Sequence, residues 1–134
     1  MTREIKFRAW SKVRKRIENV EAIFFGKDRD GDYMTCNTNY GMEVSISLSR
    51  DSFMLMQFTG LKDKNDNEIY EGDLVEVYDE LDEKFRKIIF KDGGFLFFVE
   101  RGKMYNQKEL TEKHIEKYKI EVIGNIYENK DLLS

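Results

Sequence analysis

Apolar residues in this chain recur mostly at every second position, and that period belongs to strands, whose side chains alternate between two faces. "MEVSISL" is the clearest case: Met42, Val44, Ile46 and Leu48 share one face, while Glu43, Ser45 and Ser47 occupy the other. The opening "REIKFRAW" sets Ile5, Phe7 and Ala9 against Lys6, Arg8 and Trp10, and "NVEAIFF" follows the basic segment "SKVRKRI". Together these predict an opening hairpin or meander with Lys6 and Arg8 on its solvent face. There is no proline anywhere, so every reversal has to be made by Gly, Asn and Asp. Asp30-Gly31 and Asp92-Gly93 are the strongest turn signals, the second joining "KFRKIIF" to "FLFFVE".

"SFMLMQFTG" is an unbroken apolar run and predicts a strand covered on both faces, and "DLVEVYD" a further strand. The acidic "DELDE", Asp79 to Glu83, reads as a solvated loop. Helix formers from Asn106 to Lys117, with Leu110 and His114 four apart, predict one short helix. "YKIEVIGNIYEN" closes the chain as a strand in which Gly124 signals a bulge or barrel-type bend. Many short strands with little helix define a mainly β protein, a small antiparallel barrel or sandwich.

With 134 residues, 10 Phe, 7 Tyr and one Trp, the chain can bury a substantial core, roughly two-thirds of what its unfolded form exposes. No apolar run approaches the length of a membrane helix and the charged start lacks the apolar stretch of a signal peptide, so a cytoplasmic protein is expected. The single cysteine, Cys36, allows no internal disulfide and no Cys-rich zinc site. Beside Met34 in a strand it reads as a small buried hydrophobe rather than a nucleophile.

The net charge of −3 is unevenly placed. Residues 1–16 carry Arg3, Lys6, Arg8, Lys12, Arg14, Lys15 and Arg16 against Glu4 alone, a net +6, which leaves −9 on residues 17–134. Cations interleaved with Phe7 and Trp10 combine phosphate neutralisation with a stacking surface, the mixture that single-stranded nucleic-acid binders use. The competing reading is a solvated hairpin face that keeps strand edges from pairing with strangers, and the acidic body repels DNA beyond the patch. The solvated face is the stronger of the two.

Neither acidic loop completes a calcium site. In "DKNDNEIYEGDL" the sixth position, where an EF-hand has Gly, is Glu68, and the twelfth, where it has a bidentate acid, is Leu74. In "DRDGDYMTCNTN" those two positions are Tyr33 and Asn39. Both loops therefore read as turns without metal, and the knot from Asp63 to Asn67 as a solvent-exposed turn whose side chains satisfy nearby backbone. Glu71-Gly72-Asp73 reads as the corner starting a strand, with Gly72 at positive φ, Asp73 capping the turn amides, and Val75 and Val77 on one face. No glycine fingerprint for phosphates appears, and His114, the only histidine, reads as a helix-face or loop residue. No cofactor, no metal and no catalytic residue is expected, and the chain is read as no enzyme.

The stretches "REIKFRAW", "LMQFTGLKDKNDNEIYEGDLVEV" and "YKIEVIGNIYEN" resemble, in that order, the motifs of the YopX family of small phage and prophage proteins. Phe58, Thr59, Gly60, Leu61, Asp63, Ile69, Tyr70, Glu71, Gly72, Asp73 and Val75 match its central motif. Residues Ile123, Gly124, Asn125, Ile126, Tyr127, Glu128 and Asn129 match the terminal one, and Lys130 stands where a proline is usual. The resemblance implies an N-terminal antiparallel strand meander, residues 1–54, packed on a C-terminal SH3-like β-barrel, residues 55–134, or one continuous domain. It implies Gly60, Gly72, Asp73 and Gly124 as structural motif positions. It also implies a phage or prophage accessory protein in the bacterial host cytoplasm. The function expected is non-enzymatic protein binding, a second copy of the chain included as partner. The alternative is nucleic-acid binding through the basic hairpin. Residues 26–51 show least likeness, and their strand order is left open.

Overall fold

The computed structural model of the chain describes residues 3–25, 33–37, 43–47, 53–79, 82–101 and 104–133. Mainly β, with antiparallel sheets and one short α-helix among these residues, the chain divides into two compact units, residues 5–57 and residues 1–4 with 58–134.

In the first unit, β1 (Phe7–Ser11), β2 (Arg16–Phe24), β3 (Tyr33–Asn37) and β4 (Glu43–Ser47) form an antiparallel meander, and the first half of β5 (Phe53–Lys62) returns to pair with β1 on its free side. The β1–β2 turn, residues 12–15, closes on Ser11: its carbonyl accepts from Lys15 N–H at 2.8 Å and its Oγ from Arg14 N–H at 3.1 Å. Register pairs Ala9 with both Glu18 and Leu55. Ala9 is fully buried, with Val20, Ile23, Phe53 and Leu55 packed on it.

The apolar run expected to be covered on both faces is β5, and its burial alternates instead: Met56 and Phe58 are buried while the other side chains are half-buried or exposed. A run of apolar residues signals low polarity, but the number of layers above a sheet is a tertiary matter. Lys6 and Arg8 also depart from the solvent face, both being half-buried. Arg8 pairs in register with Met56 and sets its guanidinium 3.8 Å from the Met56 sulfur, so its aliphatic stem covers the sheet.

The second unit contains the rest of β5, β6 (Glu68–Tyr70), β7 (Asp73–Asp79), β8 (Asp82–Lys87), β9 (Ile89–Lys91), β10 (Gly94–Arg101), β11 (Met104–Glu109), α1 (Glu112–Lys117), β12 (Glu121–Asn125) and a 3-10 turn at Lys130–Leu133. Its ladders are β5–β6, β12-β7-β8 and β11-β10-β9. They share one core of Ile69, Val75, Val77, Ile88, Phe97, Leu110, Ile115, Tyr118 and Ile120. Leu74 is fully buried as well, so β7 is covered on both faces. Ile88 breaks what would be one strand into β8 and β9, donating to the Asp73 carbonyl and accepting from Gly72 N–H.

Three expected boundaries move. Residues 106–109, read as helix, belong to β11, where Asn106 faces Val99 and Lys108 faces Phe97. The helix starts only where Thr111 Oγ accepts from His114 N–H, because pairing with β10 outweighs the modest helix propensity of Asn-Gln-Lys-Glu. "DELDE" is mostly strand, with Asp79 opposite Asp82 in the β7–β8 hairpin. The closing strand ends at Asn125, whose Oδ1 accepts from Tyr127 and Glu128 N–H and so turns the chain. The bulge at Gly124 is present, as a register shift between Val122 and Gly124. Asp92 and Gly93, with φ of 53° and 80°, make the two-residue β9–β10 turn expected of them.

Candidate functional site

Asp63, expected in an exposed turn, is 6% exposed and organises the loop between β5 and β6. Its Oδ1 accepts from Asn65 N–H and Asn67 N–H, each at 2.9 Å, and its Oδ2 from Val122 N–H at 2.8 Å. Asn65 Nδ2 donates to Glu121 Oε1, Lys64 Nζ lies 3.3 Å from Glu121 Oε2, and Lys64 N–H donates to the Ile120 carbonyl. The polar knot is thus a brace between the β5–β6 loop and the start of β12. Amide donors two and four residues on were legible from an Asx-turn pattern, but the third, from β12, was not.

Gly72, at φ +83°, makes the corner before β7, and Asp73 Oδ2 accepts from Tyr70 N–H at 2.8 Å as the motif reading expects. Gly60 has φ +86° and stands at the register shift between Phe58 and Lys62, with open space where a side chain would begin. Thr59 Oγ donates to the Ile69 carbonyl and accepts from Leu61 N–H, which shapes the strand on either side of that glycine.

Gly60 opens onto a groove of about 640 Å³. Phe58, Leu61 and Ile115 supply its apolar lining; Lys62 at the end of β5, Lys64 and Asp66 from the β5–β6 loop and Glu112, Glu116 and Lys119 from the α1 region supply charge. The lysines are engaged: Lys62 lies 3.8 Å from Asp66, Lys64 pairs with Glu121, and the Lys119 ammonium sits 5.3 Å from the Tyr78 ring centroid. Glu112 and Glu116 are exposed, one helical turn apart, and engage no ion pair among the described residues. Composition offered no signal for this groove, since its walls come from segments about 50 residues apart.

The seven basic residues differ in exposure. Arg3, Lys12, Arg14 and Lys15 are exposed, whereas Lys6, Arg8 and Arg16 are half-buried. Arg16 Nε and an Arg14 terminal nitrogen stand 2.6 and 3.5 Å from Glu18 Oε1, and the Glu18 side chain is 3% exposed. Glu18, which the charge pattern did not single out, therefore takes two of the seven. Lys12 and Lys15 remain at the turn beside Val13, which is 80% exposed.

His114 is structural in its contacts. Nδ1 lies 2.6 Å from the Glu109 carbonyl and donates to it when protonated, and the ring stacks edgewise on Phe97 and tilted on Tyr118. Tyr127 has its phenol pKa raised by burial and, secondarily, by the Glu71 carboxylate. Among the described residues no three His, Cys, Asp or Glu side chains converge as a metal site, and no helix is long and apolar enough to cross a membrane. The Asp28–Asp32 loop and the Cys36 side chain lie outside the described residues.

An antiparallel β protein of two units, the second braced internally by Asp63 and shaped at Gly72 and Gly124, is thus defined by fold and motif together. The chain belongs to the YopX family: the family profile described as YopX protein matches residues 6–134. Among solved structures it is similar to protein EF1440 from Enterococcus faecalis, at 26% identity and TM-score 0.62, over 99% of this chain and 100% of that one. It is also similar to protein yopX from Bacillus subtilis, at 20% identity and TM-score 0.65, over 96% and 98% of the two chains, a likeness of fold. No curated protein matches the chain.

Proposed function

We propose that this protein is a phage or prophage accessory protein that works in the bacterial cytoplasm as a non-enzymatic protein-binding module, its C-terminal unit being an SH3-like barrel. The observation that carries the reading is the groove beside α1, with Phe58, Leu61 and Ile115 in its lining and charges of both signs around them. Phe58 and Ile115 make a buried apolar floor and Leu61 a half-buried one, and the surrounding charges select the orientation of a polypeptide segment laid over it. The test is a photo-cross-linking amino acid placed at Lys62, an exposed position in the groove lining, and at Lys87, an exposed position outside it. In phage-induced or prophage-carrying cells, polypeptide adducts are expected at position 62 and not at 87. Equal labelling of both, or none at 62, would reject the groove as a docking surface.

A second reading, a nucleic-acid accessory protein, is favoured by the exposure of Lys12, Arg14 and Lys15 at the β1–β2 turn. The engagement of Arg14 and Arg16 by Glu18 reduces what that turn can offer to phosphates. Binding of a single-stranded oligonucleotide that weakens steeply with salt and with Lys12→Gln/Lys15→Gln would support this reading over the first.

A further inference from the structure

The groove and the basic turn are complementary in charge, since Lys12 and Lys15 at the turn and Glu112 and Glu116 at the groove engage no ion pair among the described residues. At the turn, Val13 is 80% exposed, with Lys12, Arg14 and Lys15 exposed around it. In the groove, the apolar lining is bordered by Glu112 and Glu116, while the three lysines nearby are held by Asp66, Glu121 and the Tyr78 ring. Two carboxylates four residues apart on a helix repel each other, and a cation set between them relieves that repulsion. A volume of about 640 Å³ falls in the range of sites that admit several side chains.

We propose that the groove receives the β1–β2 turn of a second copy of this chain, with Val13 against the apolar lining and Lys12 and Lys15 beside Glu112 and Glu116. This rests on reading the groove as a protein-docking surface and names its occupant. The two surfaces differ, so the contact is heterologous: each pair leaves one turn and one groove unused, and association proceeds to a closed ring or an open chain. Its charged part is solvent-exposed, which makes the contact weak and sensitive to salt.

Sedimentation velocity of the full chain over a concentration series tests it. Mass should rise with concentration at low salt, and the association should weaken ~tenfold or more in 0.5 M NaCl, where the Debye length shrinks to a few ångströms. A groove variant, Glu112→Lys/Glu116→Lys, and a turn variant, Lys12→Gln/Val13→Ser/Lys15→Gln, should each be monomeric alone. Mixed in equal amounts they should form a one-to-one complex that grows no further, since one copy supplies an intact turn and the other an intact groove. Should the first-turn Glu112→Lys change lower helix stability, Glu116→Lys alone carries the same test, a cation near the helix C-terminus being favourable.

A wild type that stays monomeric throughout, variants that still self-associate, or a mixture without the one-to-one complex would each overturn the proposal. If cross-links from position 62 then capture a different polypeptide, only this occupant is lost. If position 62 captures none, the docking surface itself is lost with it.

Discussion

Asp63 and Val122, 59 residues apart, are joined by a 2.8 Å bond from the Val122 amide to the Asp63 carboxylate. That carboxylate also holds the amides of Asn65 and Asn67. Asp63→Ala removes the acceptor from three amides and should cost about 2–4 kcal/mol, while Asn65→Ala, at an exposed residue whose side chain donates to Glu121, should cost under about 1 kcal/mol. Urea denaturation of the two variants checks the ordering. Equal midpoints would mean that the loop is not braced to β12.

Glycine is required at two corners for different reasons. Gly72 has φ +83°, so Gly72→Val should destabilise by ~1–3 kcal/mol through backbone strain. At Gly124 a Cβ would fall 2.5 Å from Asn129 Cγ, on the side chain whose Oδ1 accepts from Asn125 N–H. Gly124→Ala should therefore cost about 1–2 kcal/mol by displacing that acceptor. Combined with Asn129→Ala, its effect should be clearly less than additive in thermal or urea melts.

Neutralising the basic turn should split into two outcomes. Lys12→Gln/Lys15→Gln alters exposed charges and should leave the melting midpoint within a few degrees of the parent. Arg14→Gln/Arg16→Gln strands the buried Glu18 carboxylate and should cost about 2–4 kcal/mol. Identical melts for the two double variants would contradict the Glu18 pairing.

Alkaline stability should depend on Tyr127. Burial first, and the Glu71 charge second, raise its folded pKa above the ordinary 10.0. Its contribution is fully present below pH 10; above that the unfolded chain loses the phenol proton while the folded chain keeps it, so stability falls as pH rises toward the folded value. Tyr127→Phe should make the urea midpoint fall less steeply above pH 10 than it does in the parent. An unchanged slope would contradict the shift.

Much of the strand content was legible because alternation is a local property. β1 and β4 coincide with period-two segments, β7, β10 and β12 with short stretches read as strands, and the Asp92-Gly93 turn follows from the φ values those two residues tolerate. The motifs at Gly72, Asp73 and Gly124 were legible for the same reason, each acting within a few residues. β11 was missed because its residues have helix-compatible side chains and become strand only beside β10. Asp63 was misjudged because a polar loop reads as solvated until the strand it covers is known.

The residue pattern by itself determined a proline-free, mainly antiparallel β chain with glycine corners, a basic amino end and an acidic remainder, all properties of neighbours in sequence. Tertiary structure alone decided that β5 returns to pair with β1, that Glu18 is buried under two arginines, and that α1 meets the β5–β6 loop to form a groove. Those facts depend on which distant segments exclude water from one another. Burial then changes the meaning of a charge: in solvent Asp63 and Glu18 would be surface decoration, whereas in a low-dielectric interior each must gather every donor within reach.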